Sequence, residues 1–182
     1  MNIFYLDSDP KTCAEMHCDK HVVKMIIEYA QLMSTAHRIL DGQEYVSLTS
    51  SGRKIRRWQH PLLESSLMKA SHVNHPSAIW TRASKENYRW LYDMWICLLE
   101  EYTHRYGRRH ACEQYREVLY RCPSTISGKP FTSPTPAMPD ECKVLGDSLS
   151  SYKKFYVEKK ARFARWTNRQ VPIWFIQGLI DG

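Results

Sequence analysis

Nowhere in the 182 residues does an apolar run approach the roughly 18 positions a membrane-spanning helix needs, which excludes a helical membrane protein. The opening stretch from Met1 to Leu6 has no basic leader, and Asp7 and Asp9 interrupt it too early for a signal peptide. An intracellular, cytoplasmic protein that does not engage a membrane is therefore expected. The six cysteines (Cys13, Cys18, Cys97, Cys112, Cys122 and Cys142) contain no C-x-x-C pair and are expected as reduced thiols. Internal repeats are absent too, so residues 1–182 are read as one domain, a size at which a single core suffices.

Acid is missing where base is dense. The formal net charge is +7, and the excess falls in three places. Arg53, Lys54, Arg56 and Arg57 stand beside Trp58, and Arg105, Arg108 and Arg109 surround Gly107. Between Lys153 and Arg169, Lys153, Lys154, Lys159, Lys160, Arg162, Arg165 and Arg169 are opposed only by Glu158. Cations neutralise phosphates and neighbouring rings meet exposed bases, so such clusters point to nucleic acid. A solvated helix face is the plainer explanation of any one of them.

The pattern predicts a mainly helical, all-α fold. A short extended segment ends at Asp9, which caps a helix with Pro10 in its first turn and a run to about Leu40. Val22, Ile26, Met33 and Ala36 form its buried stripe, with Val23, Ile27 and Ala30 alongside. Residues 43–60 read as a polar basic loop and 61–72 as a shorter helix ended by Asn74-His75-Pro76. Ser84 caps a second long helix with Tyr88, Leu91, Trp95, Leu98 and Tyr102 on one face, stopping at Gly107. A third helix is expected over 109–120. The prolines of 122–140 predict an extended surface segment. Asp147 opens a last helix that carries the third basic cluster and closes at Pro172, leaving 176–182 as a tail.

The first long helix carries a second, polar stripe: His17, His21, Lys24, Glu28 and Gln31. Projecting together, these side chains would line a cleft; as an ordinary wet face they would offer only a Lys24–Glu28 pair worth about 0.3–0.5 kcal/mol. Cys13, His17 and His21, with Cys18 near, form a rival zinc set. The first and last of them lie about 12 Å apart along a continuous helix, too far for one ion. His104, His110 and Cys112 are the residues that would have to complete it.

Three features carry a resemblance: the short N-terminal segment, His21 followed seven residues later by Glu28, and the histidine-led stretch from His75 through the long helix to Gly107. They resemble the pyrimidine-dimer DNA glycosylase family, the endonuclease V-like enzymes of phages. The segment His17-Cys18-Asp19-Lys20-His21-Val22-Val23-Lys24-Met25 with Asn74-His75-Pro76 is similar to that of a group of small phage proteins. The resemblance implies DNA repair by a glycosylase with AP-lyase activity, needing neither metal nor cofactor. In that family the α-amino group attacks the sugar C1′, and an α-amine titrates near 7.7–8.0 against about 10.4 for lysine.

Mapped on this chain, the amine belongs to Met1, or to Asn2 if the methionine is removed. Glu28 stabilises the oxocarbenium charge and moves protons, and His21 lies near. Lys24, or Lys20, is the fallback amine. Double-stranded DNA is the expected partner of a monomer, contacted by Lys20, Arg53, Lys54, Arg56, Arg57, Trp58, His75, Arg108, Arg109, Arg162, Arg165 and Trp166. Base extrusion makes an aromatic or arginine wedge an expected part. A non-catalytic DNA binder and a zinc-dependent nucleic-acid enzyme are the alternatives.

Overall fold

A computed structural model describes residues 1–181. The chain is about 51% helical and includes a two-stranded antiparallel sheet, so the all-α expectation is corrected to a helix-dominated mixed α/β fold. An extended N-terminal segment leads into α1 (Pro10–Met16) and α2 (Asp19–Asp41), followed by β1 (Gln43–Leu48) and β2 (Lys54–Gln59). Then come α3 (Pro76–Thr81), α4 (Lys85–Tyr106), a 3-10 turn with α5 (Arg116–Tyr120), α6 (Ser148–Lys160) and α7 (Ile173–Ile180).

The two long helices form the frame. They run antiparallel, with Trp95 of α4 fully buried and its indole N–H donating to the Ile26 carbonyl of α2 at 2.9 Å. Tyr88 near the start of α4 meets His37 near the end of α2, while Arg105 at the far end meets Asp19. Ser84 caps α4 at Asn87 and Gly107 ends it with φ +66°, as the sequence predicts.

The predicted first helix is two helices, because the chain turns extended at His17 and Cys18. The physical cause is distant in sequence. The Asp19 amide donates to the Arg165 carbonyl at 2.8 Å, and the Asp19 carboxylate accepts from Arg105 and from the backbone and hydroxyl of Thr167. These partners reward the break that a continuous helix would have denied them. Asp9 caps α1 with Pro10 in its first turn, as expected.

The expected loop at 43–60 is the β-hairpin, in register from Gln43–Gln59 to Leu48–Lys54. Its turn places Gly52 at φ +79°, a conformation glycine adopts without steric cost. The expected helix at 61–72 is a series of turns held by Arg38. That guanidinium, 2% exposed, donates to the carbonyls of Trp58, Glu64, Leu67 and Met68 and to the Glu64 carboxylate. The predicted third helix is a 3-10 turn (Ala111–Tyr115) followed by α5, and the proline-rich stretch is extended. The last predicted helix stops at Lys160, and Pro172 begins α7 instead of closing α6. The expected tail from 176 is therefore helical through Ile180; Gly182 lies outside the described residues.

Gly42 joins α2 to the hairpin at close quarters. A Cβ there would stand 2.4 Å from the Arg38 carbonyl oxygen and 2.9 Å from that of Gln59, both backbone atoms. Gly42→Ala is expected to lower stability by about 1–3 kcal/mol in urea unfolding. Gly128→Ala, with nothing within 4 Å of the new atom, is expected to stay within about 0.5 kcal/mol of the parent.

Candidate active site

The N-terminal segment is buried like a core strand although no strand pairs with it. Ile3, Phe4, Tyr5 and Leu6 are each at most 6% exposed, and full burial of such side chains contributes about 1.5–3 kcal/mol apiece. Their backbone groups are satisfied by side chains instead of a sheet. The Phe4 amide donates to the Tyr29 hydroxyl at 3.1 Å, the Leu6 amide to Cys13 Sγ at 3.4 Å, and the Cys13 thiol to the Phe4 carbonyl at 3.2 Å.

Histidine tautomers lock this arrangement. His17 Nδ1 must donate to the Cys13 carbonyl at 2.7 Å, so its Nε2 accepts from the Tyr29 hydroxyl at 2.9 Å. That leaves the Tyr29 oxygen as the acceptor for Phe4. Both ring nitrogens of His17 are thus occupied, Cys13 Sγ is committed to the backbone, and His21 Nδ1 bonds the Tyr156 hydroxyl. The residues weighed as a zinc set act as a hydrogen-bonded scaffold. His21 stacks on Phe4 with ring centroids 4.0 Å apart, so it orients the segment from beneath.

The scaffold sets Met1 against α2. The α-amino nitrogen lies 3.5 Å from Glu28 Oε2, and Lys24 Nζ lies 3.1 Å from Glu28 Oε1, so one carboxylate holds two amines. Glu28 is only one-fifth exposed, whereas Lys24 reaches into solvent. His75 joins this group from α3. Its Nδ1 accepts from the Ser77 amide at 3.1 Å as the helix cap. Burial, then the positive charges of the Met1 ammonium and His72, hold its imidazole below the ordinary range against the pull of Glu28.

Cations of α2 and α6 face each other nearby. Lys160, half-buried over the Phe155 ring at 4.4 Å, is held below the usual lysine range by burial and then by Lys24. Lys20 lies 4.7 Å above Phe163. The sequence singles out Lys160 only as one member of a basic run; no local signal links it to a helix some 130 residues earlier. Val23 and Ile27, expected beside the core, are 42% and 47% exposed on the same helix as Lys20 and Lys24.

The other expected contacts are dispersed. Trp166 is buried, with its N–H on the Met16 carbonyl at 3.0 Å, and is withdrawn as a surface contact. Arg105 is sealed inside by Asp19 and Glu101, and Arg169 pairs with Glu101 and Glu15, so neither is a free cation. Arg53, Lys54, Arg56, Arg57 and Trp58 ride on the hairpin, where Arg56 pairs with Glu44 and covers Trp58. Arg108, Arg109, Arg162 and Arg165 are exposed, and Asn2 lies half-buried next to the amine.

No family model, no curated protein and no solved structure matches this chain. Among the described residues, no helix is long and apolar enough to cross a membrane.

The scaffold histidines make stability depend on pH. Burial pushes His17 down to about 4 and His21 to about 2, whereas an unfolded histidine titrates near 6.5. The unfolded chain therefore binds protons first, so stability is full above about pH 6.5 and falls as the pH drops through that window toward 4. His17 alone corresponds to roughly 3 kcal/mol by pH 4. Urea midpoints measured from pH 7.5 to 4 are expected to fall steeply, and less steeply in His17→Gln.

Proposed function

We propose that the protein is a DNA glycosylase with AP-lyase activity whose nucleophile is the Met1 amine. The observation that carries this reading is the 3.5 Å approach of that amine to Glu28. The resemblance to pyrimidine-dimer glycosylases assigns the same two groups, and the exposed cations Lys20 and Lys24 with Lys160 supply charge for phosphates beside them.

In this mechanism Glu28 accepts a proton from the ammonium, and the freed lone pair attacks the sugar C1′ of a damaged or modified pyrimidine nucleotide. The glycosidic C–N bond breaks, and the base departs with its electron pair and takes the proton held by Glu28, which restores the carboxylate. As positive charge develops on the sugar, the Glu28 carboxylate stabilises it across a short distance in a partly dry site. Opening of the ring at O4′ leaves an imine on the Met1 nitrogen. Loss of a C2′ proton then expels the 3′ phosphate and nicks the strand. Val23 and Ile27 offer apolar surface against which an extruded base or its orphaned partner can lie.

Borohydride reduction during incubation with ultraviolet-irradiated duplex DNA is expected to attach the strand covalently to the peptide containing Met1, read by mass spectrometry. Glu28→Gln is expected to lower turnover by at least about 100-fold with DNA affinity within about twofold. Attachment at Lys20 or Lys24 would replace the nucleophile. Absence of any adduct on irradiated, abasic or modified-pyrimidine DNA would leave a DNA binder without this chemistry.

A further inference from the structure

Toward the C-terminal end of α2, nine residues and more beyond Glu28, three side chains converge in a way that the proposed glycosylase chemistry does not use. His37 and Asp41 are spaced i, i+4 on the last turns of the helix, and the antiparallel register of the hairpin returns His60 to the same place. One ligand atom from each of the three lies within 4.8 Å of the others. Both histidines are buried, at 2% and 5% exposure.

The hydrogen bonding of this cluster is incomplete at its centre. Tyr88 donates its hydroxyl to the Leu119 carbonyl at 2.9 Å, so His37 Nε2 must donate to Tyr88 at 3.0 Å, leaving a lone pair on Nδ1. His60 Nδ1 accepts from the Leu62 and Leu63 amides at 3.2 and 3.0 Å, leaving Nε2 as its remaining polar atom. These two nitrogens, His37 Nδ1 and His60 Nε2, are buried without a hydrogen-bond partner among the described residues. Buried polar atoms are normally paired, so each calls for a ligand. The Asp41 carboxylate is oriented from behind by the Ser124 and Thr125 amides and the Thr125 hydroxyl.

We infer that His37, Asp41 and His60 bind a divalent transition-metal ion of the zinc class. Two imidazole nitrogens and one carboxylate are a borderline donor set suited to that class, and water completes the tetrahedron. The outer partner of His37 fits as well: a ligating histidine ordinarily donates its second N–H to an oxygen, as His37 does to Tyr88. Bonds near 2.0–2.1 Å require donors roughly 3.3 Å apart, which side-chain adjustments of about an ångström supply. Coordination at His60 Nε2 requires the neutral ring to carry its proton on Nδ1, so binding the ion exchanges the two amide bonds now made to Nδ1 for the bond to the metal. The ion would tie together the end of α2, the end of the hairpin and, through Asp41, the start of the proline-rich segment.

The test is titration of the EDTA-treated full chain with Co²⁺ and Zn²⁺. One ion per chain is expected, with a visible Co²⁺ absorption of nitrogen–oxygen type, and saturating Zn²⁺ is expected to raise the thermal midpoint by several degrees. His60→Ala and His37→Ala, each checked for folding by circular dichroism, are expected to weaken binding at least tenfold; His104→Ala, at an exposed histidine, is expected to leave it unchanged. Should one of the two variants fail to fold, the other and the parent's Co²⁺ spectrum decide. No binding by the parent, binding indifferent to both substitutions, or a thiolate-to-Co²⁺ charge-transfer band pointing to the cysteines would overturn the site.

Discussion

The hydrogen bond from the Phe4 amide to the Tyr29 hydroxyl is the constraint from which the candidate site follows. An extended segment inside a helical protein has no sheet to satisfy its backbone, and a buried unpaired amide costs about 1–3 kcal/mol. Here α1 and α2 provide the partners: Tyr29 for Phe4, and Cys13 for both Phe4 and Leu6. Tyr29 accepts from Phe4 and gives its own proton to His17, which takes it because its other nitrogen donates to Cys13. The chain of donors and acceptors is closed, fully buried and directional. Its consequence three residues upstream is the location of the Met1 amine against Glu28.

The break between α1 and α2 belongs to the same logic. A continuous helix would send the His17 ring outward with the polar stripe. Turning the chain extended at His17 and Cys18 lets that ring reach Tyr29 and frees the Asp19 amide for Arg165. The buried Arg105 guanidinium then spans Asp19, Glu101 and the Glu15 carbonyl, compensating its charge in a place where an unpaired cation would be costly. Much of the chain's basic excess is consumed in this way. Arg38, Arg105 and Arg169 organise loops and helix ends, and the exposed positive charge that remains lies on α2, α6, the hairpin and the turn after α4.

How the middle of α2 differs from its C-terminal end is informative. At its midpoint Glu28 holds the Met1 amine and Lys24, beside the exposed apolar side chains of Val23 and Ile27. Toward its C-terminus the buried His37 and the partly exposed Asp41 meet the end of the hairpin and the start of the proline-rich segment. Nine residues separate Glu28 from His37, which turns them to opposite sides of the helix. One helix therefore supports two distinct polar sites without either interfering with the other.

By itself the sequence determined the frame. The long helix of 85–106, its Ser84 cap, its Gly107 stop and its Trp95 face followed from periodicity and end signals, as did the Asp9 cap and the extended proline-rich stretch. These are local properties, fixed by side chains within a few residues of one another. The pairing of His21 and Glu28 on one helix was also legible there. What only the tertiary structure decided rests on partners far apart in the chain. The hairpin has few apolar side chains and both strands are largely exposed, so no alternation announced it. Residues 61–72 yielded their helical tendency to the five donors of Arg38. Trp166, the polar faces of His17 and His21, and the exposed sides of Val23 and Ile27 exchanged their expected places because burial is set by neighbours that arrive from elsewhere. The convergence of His37, Asp41 and His60 likewise required the hairpin to fold back, a step that no spacing in the sequence encodes.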